Sequence, residues 1–221
     1  MPDRLMLVHD QLLARYGHRH WWPADTPFEV CVGAILTQNT AWTNVEKAIA
    51  NLKGAGLLTP VALRQIPLDV LAGLIRPAGF FNVKAARLLT FVSWLFEHHD
   101  GSLERLFAGD WREARQELLQ VKGIGAETAD CILLYAGGHP SFVVDAYTRR
   151  IFSRLGLLPS VDTPYETVRS LFMAQLPVDT RLYNEYHALI VEHAKVHCRT
   201  RPRCIECPLA PEPIACPQLW Q

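Results

Sequence analysis

The chain has 221 residues, of which 49% are hydrophobic and 20% charged, with 22 basic and 22 acidic side chains. That is ordinary globular composition and excludes a disordered tail or a collagen-like chain. The formal net charge is zero, so any nucleic acid must be met by a local patch.

The apolar runs are short. Arg76 closes the run 71–75 and Glu97 closes the run 91–96, whereas a bilayer needs about 20 apolar residues. No membrane span is expected. Residues 1–10 lack a basic region followed by an apolar stretch, so no secretory signal is expected and a cytoplasmic location is the default.

Helical periodicity dominates in chain order. Leu5, Val8, Leu12, Leu13 and Tyr16 form one stripe, and Val45, Ile49 and Leu52 a second. Ala85, Leu88, Leu89, Val92 and Leu95 form a third, and Val168, Leu171, Phe172 and Leu176 a fourth. Turn-forming sequences separate them: Gly54-Ala55-Gly56, Thr59-Pro60, Ile66-Pro67, Pro77-Ala78-Gly79, His99-Asp100-Gly101, Gly137-Gly138-His139-Pro140 and Asp162-Thr163-Pro164. Only 141–144 reads as extended. The pattern predicts an all-α protein of about ten helices joined by short loops.

The segment 118–130 carries the most chemistry. A helix is expected to end near Gln120, and a second to begin near Ala126. Between them Gly123 and Gly125 permit a tight turn and close approach of another molecule. The free N–H groups and positive dipole end of the second helix can then hold a phosphate without a cationic side chain. An ordinary helix connection is the plainer reading of Gly-x-Gly alone. Further along, Val143-Val144-Asp145 places an acid after an apolar run. Asp145 reads first as a helix N-cap. That role is compatible with catalysis, because a helix N-terminus keeps the carboxylate ionised.

Cys31 and Cys131 lie in apolar stretches and read as small buried hydrophobes. The other four cysteines crowd the end of the chain as Cys198-x5-Cys204-x2-Cys207-x8-Cys216. Four thiolates in a cytoplasmic chain point to a metal site, either tetrahedral zinc or a cubane cluster. Arg199, Arg201 and Arg203 lie between the first two cysteines, as a phosphate-facing loop or as a merely solvated run. Lys195, Arg149 and Arg150 would extend such a patch. His18 and His20 flank Arg19 and are weaker candidates for contact with nucleic acid.

Taken together, four stretches resemble the helix-hairpin-helix DNA glycosylases of the endonuclease III superfamily. They are Leu36-Thr37-Gln38-Asn39-Thr40, then Gly79-Phe80-Phe81-Asn82-Val83-Lys84-Ala85, then the 121–130 hairpin with Val144-Asp145, and last the cysteines. The resemblance implies a six-helix barrel domain over 28–138 that carries the hairpin. It implies a second helical domain, from 1–27 and 139–221, that carries a [4Fe–4S] cluster on Cys198, Cys204, Cys207 and Cys216. The flanking cysteine gaps differ from the family's usual ones by one and three residues. The implied partner is double-stranded DNA with a damaged base, flipped into a cleft between the domains, and the implied state is a monomer. Asp145 falls on the family's essential aspartate, and Gln38 on the residue that fills the gap left by the flipped base. Phe80 or Phe81 falls on a second intercalating position. Lys122, Gly123, Ile124 and Gly125 fall on the phosphate-binding hairpin.

One departure matters. Members with lyase activity carry a lysine where this chain has Glu127, and a carboxylate cannot form a Schiff base. The chain is therefore expected to remove a base by hydrolysis alone. Glu127, with Trp21, Trp22, Pro23 and Trp42, resembles the base pocket of the 3-methyladenine DNA glycosylase III branch. Electron-rich indoles suit a positively charged alkylated purine, although each tryptophan could equally be a packing residue. The competing readings are an endonuclease III-like glycosylase and lyase for oxidised pyrimidines, and a non-catalytic binder of damaged DNA.

Overall fold

The computed structural model describes residues 4–19, 21–211 and 214–217. These residues contain twelve α-helices, one 3₁₀ turn and one π-helical turn, with no strand among them. The all-α expectation holds. The helices outnumber the predicted ten because several are too short to show a periodic stripe. No described helix is long and apolar enough to cross a membrane.

The chain divides into two compact units, Met1–Pro23 with Pro140–Gln221, and Ala24–His139. The second unit is built around α2, Pro27–Leu36, in which every residue from Phe28 onward is buried. Its start is fixed locally: Pro27 opens the helix and Thr26 Oγ1 accepts from Glu29 N at 3.1 Å. A fully buried leucine or isoleucine contributes about 2 kcal/mol, so α2 is the apolar centre of this unit. Next come α3 (Trp42–Gly54), α4 (Pro60–Gln65), α5 (Leu68–Leu74), a 3₁₀ turn at Arg76–Ala78 and α6 (Phe81–His99). The unit ends with α7 (Leu103–Leu106), α8 (Trp111–Gln120) and α9 (Ala126–Cys131), which continues as the π-helical turn Ile132–Ala136. α2 packs against α3, α6, α9 and that π turn.

Two buried cationic side chains hold this unit in register. Arg115 on α8 gives a two-pronged bond to Asp130 on α9, at 2.7 and 2.9 Å. Lys84 on α6 is 1% exposed, and its ammonium donates to the carbonyls of Leu36 and Ala78 at 2.9 and 2.8 Å. Burial, and then the charge of Arg87, hold Lys84 below the usual lysine range. Those two carbonyls immediately precede the loops that carry Gln38 and Phe80.

The other unit contains α1 (Arg4–Tyr16), α10 (Ala146–Arg154), α11 (Tyr165–Gln175) and α12 (Thr180–Val196). α12 packs on α1 and α10. The Tyr186 hydroxyl donates to Leu5 O at 2.6 Å and so ties α12 to α1. Phe142, Phe152, Phe172, Tyr183 and Tyr186 form one aromatic core, with Phe142 stacked on Phe172 at 4.3 Å. The segment 141–144 is fully buried non-helical backbone that leads directly into Asp145.

Candidate functional site

The hairpin joins α8 to α9 through five residues, 121–125. Gly123 has φ +96°, and a Cβ there would lie 2.5 Å from Arg87 Cγ, so glycine is required twice over, by conformation and by space. Gly125 is the N-cap of α9 and no side chain caps that helix end. Lys122 and Glu127 are exposed on either side of the turn. Ile124 lies in the turn with its side chain inward: it is 5% exposed and its N–H donates to Val121 O at 3.0 Å. It anchors the hairpin inward, which leaves the outer face to Lys122, Gly125 and Glu127.

Gln38 sits in the tight turn after α2, half-buried, and its amide is fully engaged. Nε2 donates to Gly123 O at 3.1 Å and to Thr128 Oγ1 at 3.0 Å, while Oε1 accepts from the Arg87 guanidinium. The side chain expected to enter a base stack is thus folded against the hairpin. The two phenylalanines separate clearly. Phe80 is 68% exposed and left-handed, φ +45°, a conformation that costs a non-glycine residue roughly 1–2 kcal/mol. Phe81 is half-buried, with the Arg76 guanidinium 5.7 Å from its ring. Phe80 is the residue presented at the tip. Trp42 opens α3, half-buried, and its indole N–H donates to Glu46 Oε1 at 2.9 Å.

Asp145 begins α10 as its N-cap. One carboxylate oxygen accepts from Thr148 N at 2.7 Å and from Thr148 Oγ1 at 2.9 Å, completing a capping box. The other lies 3.6 Å from His187 Nε2. Burial pushes the Asp145 carboxyl up, but the His187 imidazole and the Thr148 donors outweigh it, and the net shift is downward. One oxygen is consumed by the cap and the other faces the His187 imidazole. His187 was not singled out from the sequence; it is far along the chain and only the packing of α12 against α10 brings it in.

In the same unit, Trp21 and Trp22 are half-buried with rings 5.8 Å apart, edge to face. The Lys195 ammonium lies 6.0 Å from the Trp21 ring, and Pro23 is exposed. His18 pairs with Glu185 at 3.2 Å; His20 lies outside the described residues.

Cys198, Cys204, Cys207 and Cys216 line one small cavity of about 30 Å³, together with His193, His197, Arg154 and apolar side chains. Burial pushes the Cys207 thiol up, as do the other three thiols. Arg154 donates to Cys198 Sγ at 3.3 Å and to the carbonyls of Arg199 and Thr200, and Arg150 donates to Cys198 O at 2.9 Å. Arg150 thus shapes the loop, while Arg199, Arg201 and Arg203 project to solvent. Behind the thiols, His193 is pushed down to about 3 by burial and by His197. Neutral, it shares a hydrogen bond between Nδ1 and Tyr16 OH (3.0 Å) and points Nε2 at Cys207 Sγ (3.9 Å). Among the described residues, no three His, Cys, Asp or Glu side chains already form a single-ion site. A partly open cavity lined by four thiols, with a guanidinium against one of them, nevertheless fits a thiolate-held group.

Residues 32–175 match the family model described as HhH-GPD superfamily base excision DNA repair protein. The chain is 50% identical over 209 residues to the Methanocaldococcus jannaschii protein named "Putative DNA repair glycosylase MJ1434", covering 94% of both chains. It is 29% identical to endonuclease III of Thermotoga maritima, over 89% of this chain and 86% of that one. Among solved structures it is similar to the H. pylori 3-methyladenine DNA glycosylase MagIII bound to 1,N6-ethenoadenine. That match has 29% identity and a TM-score of 0.75, covering 87% of this chain and 97% of that one. With the hairpin, the aspartate that follows it and a family match across both, the chain belongs to the HhH-GPD superfamily of base excision DNA repair proteins and is a DNA repair glycosylase.

Proposed function

We propose that the protein is a monofunctional glycosylase that binds double-stranded DNA and excises alkylated purines, 3-methyladenine among them. The observation that carries this reading is Glu127 on the first turn of α9, at the place of the lyase lysine. The nearby amines do not replace it. Lys84 is 1% exposed with its ammonium held by two carbonyls, and Lys122 lies before the turn. A Schiff base needs an accessible, deprotonated amine. Similarity to MagIII, whose structure holds a modified adenine, supports the purine preference, as do the exposed Glu127 carboxylate and the half-buried indoles. A cationic purine is attracted by both, and its glycosidic bond is already weakened, so tight holding of the flipped base does most of the work.

In this reading the Gly123–Gly125 bend holds a backbone phosphate, and Gln38 and Phe80 occupy the gap in the stack. The Asp145 carboxylate stabilises the positive charge that develops on the sugar as the base departs, or orients the attacking water. His187 and Thr148 keep that carboxylate ionised and aimed. Cys198, Cys204, Cys207 and Cys216 would hold a [4Fe–4S] cluster, which the cysteine pattern's resemblance favours over zinc. Held there, it would supply structure and not chemistry, the four thiolates fixing the loop that displays Arg199, Arg201 and Arg203.

The test is a panel of duplexes, each with one defined lesion. Free alkylated purine should be released, and Asp145→Asn should cut the release by a hundredfold or more. Borohydride should trap no covalent adduct on abasic-site DNA. An adduct, or release of oxidised pyrimidines only, would replace this reading with the lyase alternative. No release of any base would leave a damage binder.

A further inference from the structure

We propose that Arg87 is a latch that stores the Gln38 side chain against the hairpin and so sets the threshold at which the protein probes a base stack. The proposal rests on the function above, in which Gln38 fills the gap beside a flipped nucleotide. Both amide hydrogens of Gln38 are spent, on Gly123 O at 3.1 Å and on Thr128 Oγ1 at 3.0 Å. Its oxygen is held by the Arg87 guanidinium. A carboxamide offers two donors and one acceptor oxygen, so the stored side chain has no remaining donor with which to meet a base. Stored and inserted positions exclude each other.

The geometry limits what moves. Leu36 O and Ala78 O are clamped by the buried Lys84 ammonium, which fixes the backbone on the near side of both probing loops. Arg87 lies one turn further along the same α6, its stem against Gly123. It cannot swing without opening the contact that requires glycine there. The least costly motion is rotation of the Gln38 side chain alone, which breaks the bonds to Gly123, Thr128 and Arg87. An intact stack offers nothing in return. A gap with an orphaned base offers new donors and acceptors. Arg87, which makes the one charge-assisted bond of the three, therefore contributes most to keeping Gln38 home on undamaged DNA. It is a positioning residue and does not touch the reacting atoms.

The test uses the full chain with a duplex carrying 2-aminopurine, either intact or opposite a tetrahydrofuran abasic-site analogue. The fluorescence change reports insertion. Arg87→Met should raise the insertion equilibrium about tenfold, the worth of one charge-assisted hydrogen bond, by the same factor on the intact and the abasic duplex, because the bond exists only in the stored state both share. In a Gln38→Ala background Arg87→Met should change nothing further. Arg87→Gln, paired with thermal unfolding, serves if the methionine variant folds poorly. An equal change in both backgrounds, no change, or a decrease would overturn the latch. If Gln38→Ala alone leaves the fluorescence as in the unsubstituted protein, the assignment of Gln38 as the gap-filling residue fails instead.

Discussion

At Asp145 two roles share one carboxylate, and substitution separates them. Asparagine caps a helix about as well as aspartate does, so Asp145→Asn should keep most of the Thr148 contacts and lower stability by less than about 1 kcal/mol. Base excision should fall by a hundredfold or more, on the order of losing a preorganised electrostatic group. Thermal unfolding and single-turnover excision measure the two independently. The pH dependence follows from the same geometry. The folded carboxyl titrates lower than the unfolded one, whose ordinary value is about 3.9. Its contribution to stability is therefore complete above that value and is lost as pH falls through the lower folded one. Any acid limb of the pH–rate profile above about pH 5 should persist when Thr148→Val weakens the cap, because it belongs to another group. A limb that moved with Thr148 would assign it to Asp145. Asp145 was legible in the sequence because a cap is a local signal. His187, Arg87 and the outward turn of Phe80 rather than Phe81 were not, since each depends on which distant helix packs alongside.

At the scale of elements, the hairpin and its supports set what is tolerated. Gly123 combines φ +96° with a side chain already filling its Cβ space. Gly123→Ala should lower stability by about 1–3 kcal/mol and weaken duplex binding, while an alanine at Gly125, extended and open around its Cβ, should do much less to the fold. Calorimetry on the two variants distinguishes them. Arg115 and Asp130 brace the helices on either side. Removing one partner strands a buried charge, so Asp130→Asn should cost about 3–5 kcal/mol. The apolar pair Arg115→Met with Asp130→Leu should cost distinctly less, and an additive double variant would show the pair to be independent. These braces explain the limits of sequence reading here. Stripes such as Val45, Ile49 and Leu52 announced α3 because burial repeats every turn, and all three are at most 6% exposed. The four-residue α7 and six-residue α4 are too short for a stripe. They exist because Ser102 and Thr59 cap them. The burial of Lys84 and Arg115 has no signal in one dimension, because nothing local marks a charge that finds its partners across a core.

Across the whole molecule the formal charge is zero, so attraction to DNA cannot come from a general field and must be concentrated. In the function proposed above, the cysteine loop is where the chain concentrates it. Arg199, Arg201 and Arg203 are all exposed, and Arg150 and Arg154 give their donors to the loop's own carbonyls. Arg199 also gives its Nε to Lys195 O, so Arg201 and Arg203 are the pair left wholly to the outer face. Each phosphate deprived of its arginine should reduce the slope of log K against log salt by about 0.9. The combined variant Arg199→Ala, Arg201→Ala, Arg203→Ala should therefore flatten that slope by roughly 2–3 units for lesion-bearing and intact duplex alike, because phosphates carry no sequence. Excision under saturating DNA should stay near its original rate, since none of the three touches the Asp145 site. Cys207→Ser probes the same loop from beneath. If the thiols hold the loop through a bound cluster, this variant should lose the protein's visible absorbance and flatten the salt slope together, without any arginine being changed. A slope unaltered in the triple variant would mean that the three arginines are only solvated, and the DNA-facing charge would then have to be sought at Lys122 and the hairpin.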